Sequence, residues 1–226
     1  MGIGALGVVL AWLVGLVSVP GLDSPLPGVQ AQIGSVPAAR LETAKTALAA
    51  IPAKGRAPKT GYTRAQFGQA WADADHNGCD TRNDILRRDL RDPAFKAGTR
   101  DCVLVSGTLQ DPYTGKTIDF QRGERSADVQ IDHVVALSDA WQKGAQQWTA
   151  QKRVEFANDP SNLRAMEGAA NQEKGDSDLA TWLPPNKSFR CEYAVNIVEV
   201  KAAYGLWMTQ AEHDKAAELL GACRAA

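Results

Sequence analysis

The stretch from Asp128 to Asp178 constrains this chain most, because it sets polar groups inside short apolar runs with clear periodicity. Val129, Ile131, His133 and Val135 alternate with period two, the pattern of a half-buried strand that delivers Asp132 and His133 near a sheet face. After the stop at Asn158-Asp159-Pro160, the run Asn162-Leu-Arg-Ala-Met166 reads as a short return strand. Asn171 and Lys174 have helical spacing, so both project from one face of a helix starting near Ala169 and broken at Gly175. Strand, return segment and helix form a ββα hairpin with converging polar groups.

Four pieces carry a family likeness: Asp132-His-Val-Val-Ala-Leu137, Asn162-Leu163, Asn171-x-x-Lys174-Gly-Asp176 and Trp182-Leu-Pro-Pro185. In this order they resemble the HNH, or ββα-metal, endonucleases, and within them the secreted bacterial branch. The likeness extends more loosely from about Gly61 to Cys223. It implies an α+β fold, with a ββα-metal (HNH-like) hairpin core flanked by helices and a small antiparallel sheet. It implies an endonuclease that hydrolyses phosphodiester bonds of DNA, with RNA as a further substrate, leaving a 5′ phosphate and a 3′ hydroxyl. It also implies that Asn162 orients His133 through its side-chain amide, and that the segment Trp71 to Arg82 packs beside the active site.

The residue types suit that chemistry. An imidazole titrating near neutrality can take a proton from water at physiological pH, which makes His133 the expected general base. Asp132 and Asn171 offer one carboxylate and one amide oxygen, a sparse oxygen set that favours Mg²⁺, with Mn²⁺ as the second choice. Lys174, one helical turn beyond Asn171, is placed to touch a substrate phosphate, and Arg82 is a second candidate. Taken singly, Asn162 reads as a turn residue, Lys174 as a solvated charge, and Arg82 as a structural partner of Asp80 or Asp84. Asp176 and Asp178 read either as supports of the site or as capping and surface residues.

The formal charge of −1 excludes a strongly basic nucleic-acid coat but not a nuclease, since a local cationic groove suffices to collect phosphates. The chain has no C-x-x-C finger and no evident helix-turn-helix, so low sequence specificity is expected. Residues 2–20 lack charge and are rich in Leu, Val and Gly, and Val29-Gln-Ala31 offers a small-residue cleavage site. Residues 1–31 therefore read as a signal peptide, with a retained membrane anchor through residues 2–20 as the alternative. A secreted monomer with no stable membrane association once processed is expected. An even count of four cysteines in an exported chain favours two disulfides. Three connectivities exist for four cysteines; Cys79–Cys102 with Cys191–Cys223 is the expectation, because each pair closes a local loop flanking the central motif.

Residues 32–60, rich in Ala, Pro and basic side chains, read as an arm or linker containing a helix from Ala39 to Ala50, with residues 61–226 as the nuclease domain. Arg56, Lys59 and Arg64 are candidate phosphate contacts, with a solvated basic surface as the alternative. Phe67 to Leu90 looks helical in pieces. The run Asp73-Ala-Asp75-His76-Asn77-Gly78 suggests a calcium loop but lacks the closing Glu of an EF-hand, so a turn tied down by Cys79 is the preferred reading. Cys102–Val105 and Thr117–Phe120 read as strands, and Leu137 to Phe156 as one amphipathic helix whose tryptophans anchor the core, with stacking on nucleic-acid bases as the alternative. Glu192–Tyr204 and a helix capped by Thr209-x-x-Glu212 complete the chain, with His213 on the latter's solvated side. The alternative to an enzyme is an exported structural or binding protein that retains an inactive ββα hairpin.

Overall fold

Leu41, Ala44 and Leu48 recur at three- and four-residue spacing and form the buried stripe of the first helix, α1 (Ala38–Ala50). The computed structural model of the chain describes Met1 and residues 33–226. The leader expected over residues 1–31, and its anchor alternative, lie beyond Met1 outside the described residues. Among the described residues no helix is long and apolar enough to cross a membrane.

Residues 32–226 form one unit, so the segment expected as an arm is built into the domain. A short strand β1 (Ser35–Val36) pairs in parallel with Arg224–Ala225 near the far end of the chain. Helix α1 packs against two C-terminal helices, Ala53 bridges to Met208, and Arg56 pairs with two buried carboxylates. The composition of this segment misled because its apolar face is narrow: three buried side chains are enough to dock it.

Helix α2 (Thr81–Asp89) is capped by the Asp80 carboxylate, which accepts from the Asn83 N–H at 2.8 Å. A three-stranded antiparallel sheet follows, ordered β2 (Leu90–Phe95), β3 (Leu104–Gln110), β4 (Thr117–Gln121). The edge strand β2 lay outside the expected strands; Pro93 cannot donate to a ladder, and the register with β3 shifts between Arg91 and Ala94. The turn between β3 and β4 is held by Asp111, whose side chain accepts from the N–H groups of Tyr113 and Thr114. That turn buries Tyr113 completely.

Strand β5 (Val129–His133) is followed by α3 (Leu137–Gln142) and α4 (Ala150–Asn158). The single helix expected over Leu137–Phe156 is interrupted at Gly144, whose φ of 132° lies in a region L side chains avoid. Thr149 then starts α4 afresh, accepting from the Lys152 N–H. Trp141 and Trp148 pack in the core with Phe67, Phe156 and Tyr204. Strand β6 (Leu163–Glu167) returns antiparallel to β5, with Asp132 opposite Arg164 and His133 opposite Leu163, and leads straight into α5 (Gly168–Lys174).

Helices α6 (Arg190–Tyr204) and α7 (Gln210–Ala222) close the fold, ending at β7 (Arg224–Ala225). Thr209 caps α7 as expected, but Glu212 does not return to the cap; its carboxylate is fully buried against Lys143 and Lys201. His213 is half-buried and its Nε2 meets the Leu48 carbonyl. Disulfides join Cys79 to Cys102 and Cys191 to Cys223. The whole is an α+β arrangement with two cores, one largely helical and one between α2, the three-stranded sheet and the β5–β6 pair.

Candidate active site

The end of β5, the start of α3 and the outer face of α5 border a cleft of about 290 Å³. Asp132, His133, Asn171 and Arg82 line it, together with Arg64, Trp71 and Gln130. Pairing of β5 with β6 brings the Asp-His pair level with α5, because α5 begins immediately after β6 ends.

His133 is largely buried, and its Nε2 lies 2.9 Å from the carbonyl oxygen of Ala157. A carbonyl only accepts, so Nε2 carries the proton and Nδ1 holds the lone pair in the neutral ring. Burial pushes the imidazole down to about 4, against the Ala157 carbonyl, which would raise it; the ring is therefore neutral near pH 7. Trp71 stacks on this ring with centroids 6.1 Å apart and planes 15° from parallel. The segment Trp71 to Arg82 thus lies beside His133, as the family likeness implied.

Asn162 occupies a different place from the one expected. It is fully buried, its Oδ1 accepts from the Val135 N–H at 2.8 Å, and its Nδ2 donates to the Val135 carbonyl. The amide thus clamps the backbone just after β5, while Ala157 contacts the ring. A backbone carbonyl from another helix leaves no mark in side-chain identity, which is why the sequence pointed to Asn162.

Lys174 is also placed differently. Its ammonium is completely buried and donates to Asp132 Oδ1 and to the His133 carbonyl, each at 2.8 Å. The second Asp132 oxygen accepts from the Tyr113 hydroxyl at 3.0 Å. Burial raises the Asp132 carboxyl, with Lys174 opposing that shift. A carboxylate so deeply placed requires a compensating charge, and the last turn of α5 supplies one. Nothing in the local sequence marks Tyr113 as its second partner.

Asn171 donates through Nδ2 to Gln130 Oε1 at 2.9 Å, a bond that leaves its Oδ1 uncommitted. Each Asp132 oxygen keeps a further lone-pair direction after the bonds from Lys174 and Tyr113. Among the described residues no group of three or more His, Cys, Asp or Glu side chains is arranged to hold a metal ion. The available donors are thus one carboxylate and one amide on a common cleft, all oxygen, a set that fits a hard divalent cation completing its shell with water and phosphate oxygens.

Two cations face the cleft. Arg82 lies over the Phe120 ring at 5.9 Å, while Asp80 caps α2 and Asp84 accepts from Asn77. Arg64 is exposed at the rim. The other basic candidates are spent elsewhere: Arg56 pairs with Asp139 and Asp178, and Lys59 with Asp176. Asp178 belongs to a buried network with Lys143, Lys201, Asp139 and Glu212. Asp73 accepts from the Asn77 and Gly78 N–H groups, closing a turn beside Cys79.

A β–β–α unit of this α+β protein thus presents a neutral histidine, one carboxylate and one amide oxygen on a cleft that two arginines also line. The chain belongs to the family described as GmrSD restriction endonucleases, C-terminal domain, whose model matches residues 80–219. It is also similar to an "Uncharacterized secreted protein" of the fungus Arthroderma benhamiae, at 37% identity over 183 residues, covering 80% of this chain and 85% of that protein. No solved structure matches it significantly.

Proposed function

We propose that this protein is an exported, divalent-cation-dependent endonuclease of the HNH type, hydrolysing phosphodiester bonds of DNA, with RNA as the second candidate substrate, and with low sequence specificity. The observation that carries this reading is the neutral His133, its Nε2 occupied by Ala157, on one cleft with Asp132, Asn171, Arg64 and Arg82. Nδ1 of His133 takes the proton from the attacking water. Arg64 and Arg82 attract and align the phosphate, whose charge they partly neutralise. Asp132 and Asn171 would hold Mg²⁺ or Mn²⁺, which as a Lewis acid offsets the negative charge growing on the phosphoryl oxygens. Asn162 and Lys174 act through the backbone and through Asp132, keeping the end of β5 in place. The disulfides support export, with residues 1–31 as a cleaved signal, and a monomer is the working assembly.

The second reading is an exported binding protein without turnover. It is favoured by one observation: both Asp132 oxygens already accept hydrogen bonds. Purified residues 32–226 assayed on supercoiled plasmid separate the two. The endonuclease reading expects nicking with Mg²⁺ or Mn²⁺, arrest by EDTA, and loss of nicking in His133→Ala with an unchanged circular dichroism spectrum. Wild-type protein inert across a panel of divalent metals and nucleic acids would leave the binding reading standing.

A further inference from the structure

Next to the cleft lies a second cavity of about 260 Å³. The two share Arg64, Trp71, His133 and Leu137. The first is lined by charged and amide groups; the second is mainly apolar, with Phe67 and Trp71 as its aromatic components. Asn158, at the end of α4, also lines it and is almost wholly buried. Its Nδ2 donates to the Val154 carbonyl at 2.9 Å, which fixes the amide. Its Oδ1 has no hydrogen-bond partner among the described residues and is closed off from solvent, so Asn158 shapes the wall rather than offering an acceptor.

We propose that this cavity takes one unpaired nucleobase adjacent to the scissile phosphate, stacked on an aromatic wall, so that single-stranded nucleic acid is cut in preference to duplex. The proposal rests on the endonuclease reading and specifies its substrate. A base joined through its sugar to a phosphate at His133 must lie in a neighbouring space, and this cavity shares His133 itself with the cleft. In a duplex the base is stacked and paired, so it reaches such a site only at the cost of unstacking. Every nucleobase has a π-face, so stacking favours bases over empty sugar without selecting a sequence.

The test is fluorescence anisotropy of dye-labelled oligonucleotides in EDTA, run beside cleavage in Mg²⁺. The probes are a single strand, the same strand with abasic sites, and the matching duplex. The intact strand is expected to bind and be cut about tenfold better than either comparison probe, the scale of one lost base–aromatic stack. Ala65→Trp and Ala70→Trp fill the cavity from exposed rim positions; each should shrink the single-strand preference while duplex cleavage persists. Equal affinity for intact and abasic strands, or a preference unchanged in both variants, overturns the base subsite and leaves the nuclease reading intact. Base-dependent binding in EDTA without cleavage under any metal overturns the nuclease reading instead. Neither binding nor cleavage overturns both.

Discussion

The Lys174 ammonium and the Asp132 carboxylate form a buried ion pair at 2.8 Å, and the same ammonium donates to the His133 carbonyl. Lys174→Met leaves Asp132 uncompensated and should cost about 3–5 kcal/mol of stability. Urea denaturation monitored by tryptophan fluorescence measures it. An exposed lysine gripping substrate phosphate would behave differently, raising KM and leaving the unfolding midpoint in place.

Asn162→Ala removes both bonds to the Val135 backbone. Leaving a buried N–H and carbonyl unmatched should lower stability by about 2–3 kcal/mol, with activity falling through the displaced end of β5. Thermal melts and nicking rates should decline together. A fall in kcat at constant Tm would instead put the amide on the imidazole.

Reduction should weaken the domain substantially. The Cys79–Cys102 and Cys191–Cys223 bridges close loops of 23 and 32 residues in sequence separation. In the chain-entropy picture each contributes about 3–4 kcal/mol. Cys191→Ala with Cys223→Ala should lower Tm even under oxidising conditions. Dithiothreitol should lower the wild type further than it lowers this variant, since only the wild type then loses both bridges.

Acid should act through the buried network. Burial alone would raise the Asp178 carboxyl, but the hydrogen bond from Lys143 and the charges of Lys143, Arg56 and Lys201 hold it at about 2. A folded-state value below the ordinary 3.8 means its stabilisation is complete above that value and is lost as pH falls through about 2. The contribution is on the order of 2 kcal/mol. Urea midpoints at pH 7, 4 and 2 should show the loss, and Asp178→Asn should flatten the decline over that window.

The β5–β6–α5 succession was legible because period-two alternation, a Pro stop and a helical spacing are local properties of consecutive residues. So were the cap at Thr209 and the buried stripe of α1. The break at Gly144 and the edge strand β2 were not. The first depends on how the chain turns to pack against Trp207, the second on an irregular pairing with β3.

By itself, the sequence determined the β5–β6–α5 succession and that Asp132, His133 and Asn171 share a cleft, because these are written in spacing and side-chain type. Tertiary structure decided the partners: Ala157 rather than Asn162 on the His133 ring, Asp132 rather than phosphate on Lys174, and Tyr113 on Asp132. A buried polar group must be matched by whatever donor or acceptor the fold brings near it. Those neighbours come from distant segments and from backbone atoms that every residue shares.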